Sequence, residues 1–583
     1  MNKKFMKGLV STALLLAMSC ASVGCGNKGG SGGNNSGGNG GGGGTTYNVS
    51  LLLQGWVNTP TNDSDPYKKW VLDNYGLNVS LNATTDFTNA VMIGFNSSNK
   101  PNIISFPDFT SFQSIRSQGV LLEDWTPWLE YMPNFKKVIN SESQAFTKQV
   151  MTSTEGSLNA IWTPANAPTW SLKIREDWAE EYRALTDDYD AAGNVTTVES
   201  SVYIPAGATA TDGGEWMPNT PDDLLNFARY IKVFKNQGLE KVDYYGFTTC
   251  GGGNSLGTLE TWMPLMWGRC PVAPYGFYVD SNNQVQFSTT DGTFAPYLDY
   301  LKQIVEEELI DPNWFSQQWA NDKRTTAGKI GIQWYPGSIS SSTQIDANAG
   351  RSESETIDTT DWWETYPVPV AEESTNEFAG YMVGEALAGN IIAVSKQTAM
   401  NKGMMQQICK LIDDCYAIYD ETTDTYSRGK AYDALRWGIG VESAFNYQTV
   451  EGSSLMYINS AAGDPYRGKF PGAWDWGAWI SSSWDGVVQG QTDDITEISL
   501  KVAEHDLKTA SYTSTPQIGA YLILDSSLIT DMVLDMASFS YKYATGTANM
   551  TVEEYCQTWR TSLKGDQLLQ EAELQFKALG LMK

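Results

Sequence analysis

This sequence predicts an α/β protein with two lobes, and three observations carry the prediction. At 583 residues the chain is too long for one hydrophobic core, which stops growing at about 250–300 residues. Its 41% hydrophobic and 12% aromatic content is that of a folded chain. From Tyr47 onward short apolar segments alternate with amphipathic ones, the order that builds a mostly parallel sheet covered by helices.

The elements follow in turn. Tyr47 to Leu53 reads as a strand ending in Gln54, Gly55 and Trp56, Pro66 to Tyr75 as a helix, and Leu77 to Asn82 as a second strand. Val91 to Asn96 comes next, then the apolar run Ile103 to Phe106 between Pro101 and Pro107. Ligands of open α/β sheets sit at the carboxyl ends of strands, which puts Trp56, Asn58, Pro107 and Asp108 at the edge of a candidate site. Further on, Thr220 is placed to cap a helix that has Pro221 at its first position and Asp222 and Asp223 in its first turn.

The ends of the composition exclude whole classes of function. With 67 acidic against 39 basic residues the net charge is -28, which repels phosphate backbones and anionic headgroups over most of the surface and argues against nucleic acid as a partner. His505 is the only histidine, so multi-histidine metal sites are excluded and any histidine-based triad needs that one residue. After Cys25 come Cys250, Cys270, Cys409, Cys415 and Cys556, without metal-like spacing; buried free thiols are expected, with a Cys250–Cys270 bridge as the alternative. The glycine tract does not end in Gly-Lys-Ser or Gly-Lys-Thr, so it is no phosphate loop.

The N-terminus addresses the compartment. Lys3, Lys4 and Lys7 precede the apolar stretch Gly8 to Met18, shorter than the roughly 20 residues a bilayer span requires, and therefore a secretory signal. Gly26 to Gly44 is almost wholly Gly, Ser and Asn, a flexible coil reaching about 25 Å. Between them Ser22, Val23, Gly24 and Cys25 resemble the lipobox of bacterial lipoproteins, with Cys20 as a competitor; the resemblance implies an acylated Cys25 whose two chains anchor the protein at the outer face of the membrane.

Pro101 to Ile104 followed by Leu121 to Asp124 resembles the "PDII … LLEPL" pattern of extracellular solute-binding proteins of bacterial ABC importers. Further matches follow in family order: Leu158 to Pro164 at a lobe-crossing strand, Ile174 to Trp178 at "IRKDW", and Met217 to Leu225 at "P-T-T-x-D-E-L". Tyr297 to Trp314 is similar to the helix ending in "GLIDP", Gly328 to Trp334 to "G-K-x-A-M", and Gly389 to Lys396 to a late strand. At this length the chain is most similar to the oligosaccharide-type lipoproteins that resemble aldouronate and complex-polysaccharide-fragment receptors. The resemblance implies a two-lobed periplasmic-binding-protein-like (type 2) fold with hinge crossings and a ligand cleft, monomeric, delivering oligosaccharides to permease subunits without catalysis. Crossings are expected near Thr163 to Trp170, Ala320 and Tyr366 to Pro369. The expected division is a leader over 1–24, an acylated cysteine and tether over 25–45, an N-terminal lobe over 46–165 plus about 320–370, and a C-terminal lobe over 166–319 plus about 371–583.

A sugar cleft needs aromatic faces for stacking, with carboxylates and amides for hydroxyls. Trp334 and Tyr335 stand where maltose-binding relatives carry a stacking Trp, and Trp56, Asn58 and Asp108 join them at strand ends. Glu260, Trp262 and Trp267 are candidates from the second lobe, although Trp packs in cores as readily. Trp474, Asp475, Trp476, Trp479 and Trp484 form the densest aromatic stretch, read as a loop because of its Gly and Pro surroundings. Asp188, Asp190, Asn194 and Glu199 occupy positions 1, 3, 7 and 12 of an EF-hand-like loop for a structural calcium ion, weighed against a plain polar hairpin, with Ala192 in place of a ligand at position 5. Two other classes stay open: an anchored glycoside hydrolase or lyase, for which two carboxylates suffice, and a peptide receptor.

Overall fold

Leu51, Leu52 and Leu53 are buried in succession, as a strand covered on both faces requires, and they lie in β1 (Tyr47–Gln54). The computed structural model describes residues 45–582 apart from 56–58, 61–63, 98–99, 142–143, 154, 165–169, 184–215, 250–260, 273–275, 316–322, 384–387, 421–424, 440–447, 450–455, 460–472, 480–486, 491–496 and 516. In it β1 has two parallel neighbours, β3 (Leu77–Thr84) with Leu51 opposite Leu81, and β4 (Ile103–Phe106) with Leu51 opposite Ile103. β2 (Thr59–Pro60) closes one edge antiparallel to β3. Across the sheet β10 (Ala388–Val394) inserts antiparallel between β4 and β5 (Ile161–Pro164), giving the six-stranded order β2-β3-β1-β4-β10-β5.

Helices cover this sheet. α1 (Pro66–Tyr75) starts where the Asp65 carboxylate accepts from the Tyr67 and Lys68 N–H groups and stops at Gly76, whose φ of 67° only glycine adopts freely. α2 (Phe87–Asn96), α3 (Phe109–Arg116), α4 (Pro133–Val138), α5 (Ala145–Val150) and α10 (Lys402–Asp413) add Val91, Phe112, Phe135, Val150 and Met405 to the same core. α11 (Lys430–Tyr432) and α12 (Ala473–Ala478) complete it with Tyr432 and Trp476.

The second sheet has the order β9-β6-β8-β7, from β6 (Ser171–Arg175), β7 (Tyr245–Phe247), β8 (Ile330–Tyr335) and β9 (Trp363–Tyr366). β6 alternates with a period of two: Leu172 and Ile174 enter the second core, while Ser171 turns to the other side and meets Thr509 of α13 (Glu497–Ala510) at 2.7 Å. That core also takes α6 (Glu176–Arg183), α7 (Pro221–Tyr230), α8 (Phe294–Glu306), α14 (Ser526–Ala544), α15 (Val552–Thr561) and α16 (Gly565–Ala578). α9 (Ile339–Ala347) packs on α13. Thr220 and Asp223 form a reciprocal capping box at the start of α7.

Sheet order corrects the expected division. Residues 330–335 and 363–366, read as first-lobe, pair with β6 and bury Ile332 and Trp334 in the second core. Residues 388–394, read as second-lobe, complete the first sheet because Ile391 to Val394 have their partners on β4 and β5. Trp314 and Ile332, on either side of the crossing expected near Ala320, both belong to the second core; Ala320 itself lies outside the described residues. The chain changes lobes between Pro164 and Ser171, between Met382 and Ala388, later than Tyr366 to Pro369 since Val368, Ala371 and Met382 belong to the second core, and once more after Trp479 of the first core and before Met532 of the second. Cys270, Cys409 and Cys415 are buried free thiols; Cys250 lies outside the described residues.

Candidate functional site at the lobe crossings

Strand register decides which edge of each sheet faces the crossings. β5 leaves the first sheet at Pro164, opposite Ala388, and β10 runs from Ala388 antiparallel to β4, with Ile391 opposite Phe106. The carboxyl ends of β4 and of its parallel neighbour β1 therefore share the edge from which the chain departs. On the second sheet β6 begins at Ser171 opposite Tyr335, the end of β8, and Tyr366, the end of β9, lies opposite Leu172. Both sheets thus turn carboxyl strand ends toward the crossings, where α/β proteins bind ligands.

The sequence candidates fall on this edge in different ways. Trp56 and Asn58, next after β1, lie outside the described residues, as do Glu260, Trp484 and the calcium-like Asp188, Asp190, Asn194 and Glu199. Asp108 follows β4 and is exposed, but its carboxylate caps α3, accepting from the Ser111 N–H at 2.7 Å and the Ser111 hydroxyl at 2.8 Å. Tyr335 ends β8 half-buried, its ring 5.7 Å from that of Trp170 at a 44° tilt. Trp170 is also half-buried and immediately precedes β6; it was not singled out from sequence, although an aromatic residue next to a crossing segment is a usable signal.

Five tryptophans are otherwise employed. Trp334 is 5% exposed, and its ring stacks on Trp262 at 6.1 Å with an interplanar angle of 6°. Trp262 is 1% exposed, and among the described residues its indole N–H has no hydrogen-bond partner. Trp267 is buried with its Nε1–H donating to Glu373 at 2.7 Å. The stretch read as a loop is helical over Ala473–Ala478; there Trp476 is fully buried, stacks on Tyr67, and donates its Nε1–H to Asp65 at 2.7 Å. Trp479 is fully buried as well, and the Trp474 side chain lies outside the described ones.

Directly behind the Tyr335 edge is a buried polar layer. Lys173, fully buried on β6, places its ammonium on the hydroxyl of Ser171, with Thr509 at 3.4 Å. Burial pulls this amine down to about 7 against the pull of the Asp506 and Glu364 carboxylates. Burial, with Lys173 adding to it, likewise holds His505 down at about 3, a neutral imidazole whose Nδ1 meets the Thr365 hydroxyl at 2.8 Å. Asp506 accepts from the Gly337 N–H at 2.9 Å, fastening α13 to the turn that follows Tyr335. Among the described residues no cluster of three metal-ligating side chains exists.

No family model matches the chain, and no curated protein matches it. Solved structures do. An HMO-binding ABC-transporter-associated solute-binding protein from Bifidobacterium longum infantis superposes with a TM-score of 0.58 at 14% identity, over 92% of this chain and 100% of that one. The fold is that of the two-lobed solute-binding proteins. The alginate-binding protein AlgQ2, solved without calcium ion, gives 0.54 at 12% identity over 92% and 97% of the two chains. An EF-hand mutant of the S. pneumoniae ABC-transporter substrate-binding protein FusA in complex with fructo-nystose gives 0.52 at 14% identity over 91% and 100%.

Proposed function

We propose that this protein is the membrane-anchored, substrate-binding component of an ABC importer, capturing an oligosaccharide between its lobes and passing it to permease subunits. The observation that carries the reading is the fold shared over nine-tenths of the chain with proteins whose described ligands are saccharides. Acylation of Cys25 and the outer-surface location belong to the same reading, supported by the leader, the lipobox-like Ser22 to Cys25 and the tether. Among the described residues no helix is long and apolar enough to cross a membrane. Half-buried Trp170 and Tyr335 at the crossing edge supply ring faces for sugar stacking. Asp188, Asp190, Asn194 and Glu199 would hold a structural calcium ion; millimolar calcium is expected to raise the melting temperature, and Asp188→Asn to remove the rise.

The test is calorimetry across a glycan panel, from human-milk and fructan oligosaccharides to fragments of plant polysaccharides, with chain lengths checked afterwards. Heat without shortening supports the receptor. Shortened glycans would mean a hydrolase or lyase, and silence with glycans but heat with peptides would mean a peptide receptor.

A further inference from the structure

The chain carries a net charge of -28, yet one helical layer of the first lobe has the opposite sign. α10 packs against both α1 and α4, and α11 joins them through its Lys430 amine on Asn74. α1 and α4 contribute Lys68, Lys69, Lys136 and Lys137; α10 and α11 contribute Lys402, Lys410 and Lys430. All but the half-buried Lys68 are exposed. Against them the four helices set only Asp73, paired with Lys69 at 2.5 Å, and Asp413, buried, bonded to the Phe135 N–H at 2.8 Å and raised to about 6 by burial. Asp414, just past α10, accepts from the Tyr75 hydroxyl at 2.8 Å, and the turn before α4 adds the exposed Glu130. Aromatic rings are interleaved: the Lys410 amine lies 6.0 Å from the centre of Tyr75 and that of Lys430 5.8 Å from half-buried Trp70.

A second observation concerns where the folded body begins. The Tyr47 N–H donates to Gly76 at the end of α1, at 2.9 Å, and its hydroxyl lies so close to Gly403 in the first turn of α10 that any side chain there would collide. The folded body therefore begins, at Tyr47, beside the end of α1 and the first turn of α10, at the margin of the lysine layer.

We propose that this layer rests on the anionic headgroups of the membrane that holds Cys25, an inference that builds on the anchored-receptor reading. Screening over about 8–10 Å lets the local sign of a surface outweigh distant carboxylates, and each lysine at an anionic surface strengthens binding about fivefold. Half-buried Trp70 suits the interface between headgroups and water. α1 and α10 both pack on β3, which stands away from the crossing strand β5 at the other edge of the sheet.

The experiment uses the full chain carrying Cys25→Ala, which has no lipid, and sediments it with phosphatidylcholine vesicles with and without phosphatidylglycerol. Expected is binding at least about tenfold tighter to the anionic vesicles at low salt, weakening as salt rises. The same chain with Lys69→Glu, Lys136→Glu and Lys410→Glu should lose that preference while keeping its melting temperature; since the leader is common to both, the difference reports the layer. Equal binding to both vesicle types, an unchanged preference in the triple variant, or a soluble polyphosphate bound as tightly as the anionic vesicles would each overturn the bilayer contact. Failure of the anchor shows separately, as continued membrane attachment of the Cys25→Ala chain in cells despite high-salt washing.

Discussion

Trp334 and Tyr335 are neighbours on one strand with opposite environments, and they should respond to truncation in opposite ways. Trp334→Ala removes a ring stacked on Trp262 inside the second core and is expected to cost about 3–5 kcal/mol of stability. Tyr335→Ala should leave unfolding nearly unchanged and weaken oligosaccharide binding about 5- to 150-fold, measured by calorimetry; preserved affinity would remove Tyr335 from the site. Sequence could locate both residues at a strand end but not separate them, because a Trp in a core and a Trp on a ligand obey the same composition. The same blindness made Trp476 a ligand candidate, whereas Asp65, a residue 411 positions away, holds its indole. Lys173 gives a pH signature. Its amine is depressed to about 7 in the fold from an ordinary 10.5, so between those values the unfolded chain binds more protons and stability should rise with pH. Chemical denaturation between pH 7 and 10 should show this rise, and Lys173→Met should flatten it.

Among elements, α13 is the one on which the candidate edge depends most directly. The Gly337 N–H donates to Asp506, and a methyl group on Gly337 would collide with that carboxylate and with the Val502 carbonyl. Gly337→Ala is therefore expected to cost about 1–3 kcal/mol through overpacking and to weaken ligand binding by displacing the turn after Tyr335. A variant as stable and as tight as the parent would show that the turn yields freely. The regular elements were largely legible: Pro66–Tyr75 and Ile103–Phe106 have the expected bounds, and Thr220 caps its helix. These features are local, set by caps, prolines and short apolar runs. The division into lobes was not legible, because β8, β9 and β10 are assigned by partners at least 85 residues away, which no local pattern encodes.

At the scale of the molecule, two cores joined by chain crossings imply hinge motion. Small-angle scattering should show compaction on adding a ligand verified by calorimetry; unchanged dimensions would argue against closure. In cells Cys25→Ala is expected to release the protein into the medium once salt has removed the lysine-layer contact. The position of β10 has a further consequence, for the order of events during synthesis and export. The first sheet cannot join β4 to β5 until Ala388–Val394 has been made, so two-thirds of the chain must leave the ribosome before the first lobe can close. Pairings over such sequence separations form slowly. Late closure of the first lobe would leave the chain threadable for longer, which suits the export proposed above.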